Sequence, residues 1–235
     1  MQNARHVVVV MNGTARWAEQ HRRTLAEAQQ QSLITAQVIT RAASAAKVRY
    51  LTFCGEHAEL PSYPIRPSGP ALPARPRSTD AAPDGGTWLG RELGLASEDP
   101  LVTLRLGQSG RRDIASAVRK LAQAVQAGRM EPNQLDESLL RATLLTAELP
   151  DPDLIVYSGC PAGEHRLRDE LIFESAYAEF FFCERLWPDL AAADFVHALS
   201  DFASRQRRFG KTAEQLASSD PAPSRYAVAS SSIGS

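Results

Sequence analysis

Short unbroken apolar runs alternate along this chain with stretches in which apolar residues recur at every third or fourth position. The run VVVVM at 7–11 carries no polar position and is mostly β-branched. That is the pattern of a strand covered on both faces, as in a parallel sheet. YLTFC at 50–54, LVTLRL at 101–106, DLIVY at 153–157 and the run at 180–183 read as further strands. Ile34, Val38, Ala42 and Ala45 recur at helical spacing inside a helix predicted from 16 through 31 and on toward 46. Ile114, Val118, Leu121 and Val125 share one face of a helix predicted over 114–127. Further helices are expected over 136–148, 167–177 and 192–207, with a short helical piece, WLGRELG, at 88–94. Strands alternating with helices predict an α/β fold with a largely parallel sheet, whose sites lie at the carboxyl ends of the strands. Three strand exits therefore hold the interesting residues: 12–17, 107–113 and 158–166.

Two stretches break the alternation. Residues 60–83 contain seven prolines in 24 positions, which rules out a regular helix or an interior strand and predicts a long loop over 60–86. That loop is read as a solvated linker, or alternatively as a docking segment of polyproline character. Beyond Gly210 the composition turns to Ser and Ala, so a disordered tail is expected over 213–235. The remaining 1–212 are long enough to bury one sizeable core, and a single domain is expected.

Composition narrows the function. With 43% hydrophobic and 23% charged residues the chain is ordinary for a globular protein, and its net charge of -1 points neither to nucleic acid nor to an anionic membrane. No apolar run reaches the length of a membrane span, and the first strand begins too early to leave room for a signal peptide. Cys54, Cys160 and Cys183 match no zinc spacing and read as reduced thiols of a cytoplasmic protein.

The chemistry concentrates at MNGTARW, 11–17, directly after the first strand. A strand ending in a Gly turn, with an Arg and a Trp opening a helix, is a common way to hold an anion. Yet the stretch contains no acid, which raises the question of whether Asn12 sits where a catalytic carboxylate should be. Trp17 and Trp187 read as packing residues. The cluster of arginines at 205–208 reads as a helix end balanced by positive charge, unless the Phe-Gly that follows gives it a further role.

Taken together, these exits resemble the cis-prenyltransferase family, the undecaprenyl diphosphate synthases and their relatives. GEHR at 163–166, SAYAEFFF at 175–182, RLWPDL at 185–190, RRFG at 207–210 and RRDIASAVRKLAQAVQAG at 111–128 carry the resemblance most strongly. HVVVVMNGTARWA at 6–18 and RYLTFC at 49–54 extend it. It implies a twisted, mainly parallel sheet flanked by helices, a dimer, and Mg²⁺-dependent condensation of an allylic diphosphate with isopentenyl diphosphate. Gly13, Arg16, Arg166, Arg208 and Gly210 would then contact diphosphate, the last two across the dimer interface in the neighbour's site. Glu179 is either a metal ligand or an ion-pair partner. His165 is a metal ligand, a base, or a satisfied histidine at a strand exit.

The chain departs from that family where charge matters. The Asp of the first motif is Asn12, Thr14 replaces an Asn, the Arg and His of the first helix align with Leu25 and Gln29, and a strand-exit Arg aligns with Tyr157. About three residues, 160–162, are inserted before GEHR, and Arg168-Asp169 replaces a Ser-Asn pair. The Pro-rich loop replaces the tunnel helices, although each five-carbon unit of product needs about 4 kcal/mol of burial, at about 0.8 kcal/mol per carbon. Losing one phosphate donor costs roughly 3–4 kcal/mol of transition-state stabilisation. These departures lead to the expectation of a subunit that is non-catalytic by itself. It would pair with a competent homologue that holds most of the Mg²⁺, supplying the Arg208-Phe209-Gly210 contact. A homodimeric short-chain or unusual prenyltransferase, with Arg111, Arg112 and Arg168 compensating, is the first alternative. A prenyl diphosphate binding protein without transfer is the second.

Overall fold

The computed structural model describes residues 3–55, 87–89 (backbone only), 100–163 and 165–205. Six strands form one sheet: β1 (His6–Val10), β2 (Tyr50–Gly55), β3 (Thr87–Leu89), β4 (Leu101–Leu106), β5 (Leu154–Tyr157) and β6 (Glu179–Phe182). Their order is β3-β4-β2-β1-β5-β6, and every pairing is parallel except β3 with β4. The α/β expectation with a mainly parallel sheet therefore holds. β1 lies at the centre, with Val8 opposite Thr52 on one side and Ile155 on the other. Its five residues are all buried, which is why the VVVV run needs no polar alternation.

The two faces of the sheet are covered differently. Helices α2 (Leu25–Ala45) and α5 (Ala192–Ser204) cover one face. There Val7, Val9, Met11, Ile39, Phe53, Trp187 and Phe195 form the larger core. The opposite face holds a smaller cluster of Val8, Val10, Cys54, Ile155 and Tyr157, closed by Cys160 and Leu171. Helix α3 (Gly110–Gln126) follows β4, and α4 (Glu137–Thr143) follows α3. Among the described residues no helix is long and apolar enough to cross a membrane.

Four predicted elements come out differently. The helix expected over 16–46 is two helices, α1 (Thr14–His21) and α2, because Arg22 turns left-handed at φ 52 and Thr24 starts a new N-terminus. Thr24 and Glu27 exchange hydrogen bonds there, Glu27 N–H to Thr24 Oγ1 at 3.2 Å and Thr24 N–H to Glu27 Oε2 at 2.8 Å. Trp88 and Leu89 of the predicted WLGRELG piece belong to β3 rather than to a helix, and 90–94 lie outside the described residues. The helix expected over 136–148 is confined to α4, since Leu144 is extended. The helix expected over 167–177 is irregular, apart from a 3-10 turn at Glu174–Tyr177. Side-chain and backbone groups of 168–169 are drawn to neighbouring strand exits instead, as described below. The Pro-rich loop, the tail, Arg208 and Gly210 all lie outside the described residues.

Candidate functional site

The chain leaves β1 through Met11 and Asn12 and turns at Gly13, whose φ of 106 lies in the left-handed region. A Cβ at Gly13 would come within 2.7 Å of Leu186 Cδ2, so both conformation and space require glycine there. Four polar groups of Asn12 are engaged within the chain. Its N–H donates to Ser158 Oγ at 3.1 Å, and its carbonyl accepts from Trp187 N–H at 3.0 Å. Its side-chain Nδ2 donates to Gly159 O at 3.2 Å, and its Oδ1 accepts from an Arg168 guanidinium N–H at 3.0 Å. Arg16, one turn into α1, also donates to Gly159 O, at 2.7 Å. Gly159 is therefore the hub of this exit, and a Cβ on it would lie 2.6 Å from Asn12 O.

Arg168 reaches residue 12 because its neighbours fix it. Its Nε lies 3.5 Å from Glu170 Oε1, and its backbone N–H donates to the Tyr157 phenol. Tyr157 is buried and stacked on Phe182, and burial pushes its phenol up to about 12. Where the resemblance implies a strand-exit cation, this chain thus has a neutral ring that anchors the Arg168 backbone.

At the exit of β4, Ser109 caps α3 by accepting from Arg112 N–H at 3.2 Å. The Asp169 carboxylate completes that N-terminus. It accepts from Ser109 Oγ, from Arg111 N–H at 3.2 Å and from Arg111 Nε at 3.1 Å. Burial would raise the Asp169 carboxyl, but the Ser109 and Arg111 hydrogen bonds outweigh it and hold the group below the ordinary range. The anion position at the head of this helix is taken by the chain itself. Beneath it, Arg105 and Asp113 form a buried pair at 3.8 Å, and Leu145 N–H donates to the Asp113 carboxylate. Burial raises the Asp113 carboxyl, against the Leu145 bond and the Arg105 charge. A lone Arg in the apolar run LVTLRL was the sequence signal for such a pair, since a buried cation demands a counter-charge.

The predicted site residues thus fall into three groups. Asn12, Gly13, Arg16 and Arg168 meet at one exit. Arg111 belongs to the next exit, where Asp169 offsets its charge, and Arg166 is exposed without an ion pair among the described residues. His165 stacks on Phe182 at 4.6 Å, at the carboxyl end of β6, whereas Glu179 opens that strand at its amino end. Three residues of strand, about 10 Å, separate the two ends, so His165 and Glu179 do not share one metal site. Ser158 and Gly159, which clamp Asn12, were missed, because no residue type in SGC announces a clamp.

The donor set at residue 12 does not suit Mg²⁺. That ion favours anionic oxygen, and the one side-chain oxygen Asn12 offers already accepts from a guanidinium. A divalent ion there would also meet repulsion from that guanidinium, partly offset by the Glu170 carboxylate 3.5 Å from its Nε. Among the described residues, no three of His, Cys, Asp and Glu come together to hold a metal.

Comparison with known proteins sets this site in context. The model of the family described as putative undecaprenyl diphosphate synthase matches residues 94–210. A farnesyl-diphosphate-specific ditrans,polycis-undecaprenyl-diphosphate synthase of Xanthomonas axonopodis pv. citri is 43% identical over 60% of this chain. That match spans 54%, about half, of the relative's own length. The synthase of the same description from Pseudomonas syringae pv. tomato is 32% identical over 90% of this chain and 92% of its own. The solved lavandulyl diphosphate synthase of Lavandula x intermedia, in complex with dimethylallyl diphosphate, has 23% identity and a TM-score of 0.67 over 89% of this chain and 99% of that one, a likeness of fold. With identity sustained across nearly the whole of both sequences, this chain belongs to the cis-prenyltransferase family, that of the undecaprenyl diphosphate synthases.

Proposed function

We propose that this chain is a cis-prenyltransferase-like subunit without a competent metal–diphosphate site of its own, active in isoprenyl diphosphate condensation only beside a family member that has one. The observation that carries this reading is the engagement of Asn12, whose backbone and side-chain groups are all hydrogen-bonded within the chain. A working exit must instead present donors and a carboxylate to the ligand. Catalysis by electrostatic stabilisation depends on groups aimed at the developing charge, not at each other. Mg²⁺ would supply charge neutralisation of the leaving diphosphate, and in this reading the partner holds it. The contribution of this chain is the Arg208-Phe209-Gly210 motif, which the resemblance places across the subunit boundary.

A second reading draws on Arg16 and Arg166, which stand exposed around the exits, beside Arg111, whose charge Asp169 partly offsets. Such a cationic surface suits the binding of a small prenyl diphosphate by the lone chain, of the kind held in the dimethylallyl diphosphate complex of the lavandulyl diphosphate synthase.

The test is turnover by the purified full chain with isopentenyl diphosphate, a series of allylic diphosphates and Mg²⁺. The lone chain gives no product. Co-expression with a homologue carrying an acidic first motif restores it, and R208A in that pair lowers it about 10²- to 10³-fold. Robust product from the lone chain overturns the subunit reading in favour of the second. Calorimetric binding of a prenyl diphosphate without product in any combination favours a binding protein.

A further inference from the structure

The exit of β1 is closed by a cation as much as by the loss of an acid. We propose that Arg168 is the built-in cation of this exit, occupying the place of a divalent ion at residue 12, and that Arg168 rather than the identity of residue 12 alone excludes Mg²⁺. The inference rests on reading this exit as one that holds no metal–diphosphate, and it names the residue responsible.

Three observations carry it. The Arg168 guanidinium donates at 3.0 Å to the very side-chain oxygen a metal would need. It does not reach there as a loose surface arm: Glu170 lies 3.5 Å from its Nε, and its side chain is only 31% exposed. Its backbone is pinned on both sides as well. The Arg168 N–H is held by the Tyr157 phenol, and the next residue is bound to the head of α3 through Gly110 N–H to Asp169 O. Gly110 has no room for a side chain, since a Cβ would lie 2.9 Å from both Asp169 O and Ile172 N, so the 168–172 segment is packed against α3. The position of Arg168 is thus set by Glu170, by Tyr157 and by the head of α3, and substitution of residue 12 leaves all three in place.

The consequence is a coupling between residues 12 and 168. In N12D the new carboxylate meets Arg168 first and is neutralised from within, so the acid alone does not create a metal site. In N12D/R168S the carboxylate is released, and Mg²⁺ bound to inorganic pyrophosphate finds an anionic oxygen. Charge is the cause, so N12D/R168K stays closed.

Isothermal titration calorimetry of the full chain and these three variants with inorganic pyrophosphate, with Mg²⁺ or with EDTA, tests this. Wild type, N12D and N12D/R168K show no Mg²⁺-dependent binding up to millimolar pyrophosphate. N12D/R168S binds at least about 10- to 100-fold more tightly, and only with Mg²⁺. Thermal melts verify folding, with N12D/R168Q as a longer neutral substitute if the Ser variant is unstable. Equal binding by N12D and N12D/R168S overturns the inference, as does Mg²⁺-dependent binding by wild type or by N12D/R168K, or none by any variant. Because the readout is binding by the lone chain, failure here leaves the partner-dependence of turnover a separate question.

Discussion

At the amino end of β1, the N–H groups of Arg5 and His6 both donate to Asp153 Oδ2, at 2.7 and 3.1 Å. The His6 ring lies between Pro150 O at 2.6 Å and Thr52 Oγ1 at 2.9 Å. At the carboxyl end, Asn12 is held by Ser158, Gly159, Arg168 and Trp187. Both ends tie β1 to its neighbours through polar groups, but at the amino end the His6 ring is sealed, 2% exposed, while Asn12 and Arg168 are only half-buried and Arg16 is exposed. Burial without partners is costly, so hydrogen bonding at the amino end is a condition of folding. At the carboxyl end the same completeness uses up polar groups at a strand exit, the place where sites lie in parallel sheets. Perturbing the first end should therefore change stability, and perturbing the second should change binding more than stability.

The largest expected effect is at the amino end and depends on pH. Pro150 O can only accept, so His6 Nδ1 carries the proton and Nε2 accepts from the Thr52 hydroxyl, a fully satisfied neutral ring. Burial lowers the His6 pKa from 6.5 to about 4, with a further lowering from Arg141 and opposition from the Pro150 bond and Asp153. Between these values the unfolded chain binds more protons than the folded one, so stability rises with pH. This contribution is complete above pH 6.5 and is lost as pH falls toward 4, amounting to about 3 kcal/mol. Asp113 and Asp151, raised by burial, act in the opposite direction, and comparison with a neutral variant cancels them. Urea unfolding across this range should show the loss in wild type and a flatter profile in H6Q. Equal slopes would show that His6 is not a buried neutral ring.

A smaller effect separates two glycines after β5. Gly159 and Gly163 both have positive φ, 63 and 76, so alanine pays about 1 kcal/mol for the left-handed region at each. Only at Gly159 does the new Cβ meet backbone, 2.6 Å from Asn12 O, while at Gly163 nothing lies within 4 Å. G159A should therefore cost about 2–3 kcal/mol in chemical denaturation and G163A about 1 kcal/mol. Equal costs would mean that the clamp on Asn12 yields easily.

The amino end was hard to read in the sequence and the carboxyl end only half legible. VVVV and the alternation of strands with helices were enough for the parallel strands, whereas β3 fell within a stretch read as helical. The break between α1 and α2 was encoded in T-L-A-E at 24–27, a capping box hidden inside a helical periodicity that continues across it. The segment 167–177 has helical composition, yet hydrogen bonds from 168–169 to residues distant in sequence override it. Asn12 was visible as a departure from an acidic position. What closes around it was not, since Ser158, Gly159 and Arg168 reach residue 12 only once β1 and β5 pair.

The smallest expected stability change belongs to N12D. The amide donates about one ordinary hydrogen bond to Gly159 O, worth about 0.5–1.5 kcal/mol, and a carboxylate loses it and faces that carbonyl instead. In exchange, the contact with Arg168 becomes charge-assisted, worth about 1.5–3 kcal/mol. The half-exposed setting weakens that gain, so the two nearly offset and unfolding free energy should move by less than about 1 kcal/mol. The sign of the salt dependence is the sharper measurement, because only the new ion pair is screened by salt. N12D should lose stability relative to wild type as ionic strength rises. A variant that is instead destabilised by several kcal/mol, with no sensitivity to salt, would place the closure of this exit in the Asn12–Gly159 bond and not in Arg168.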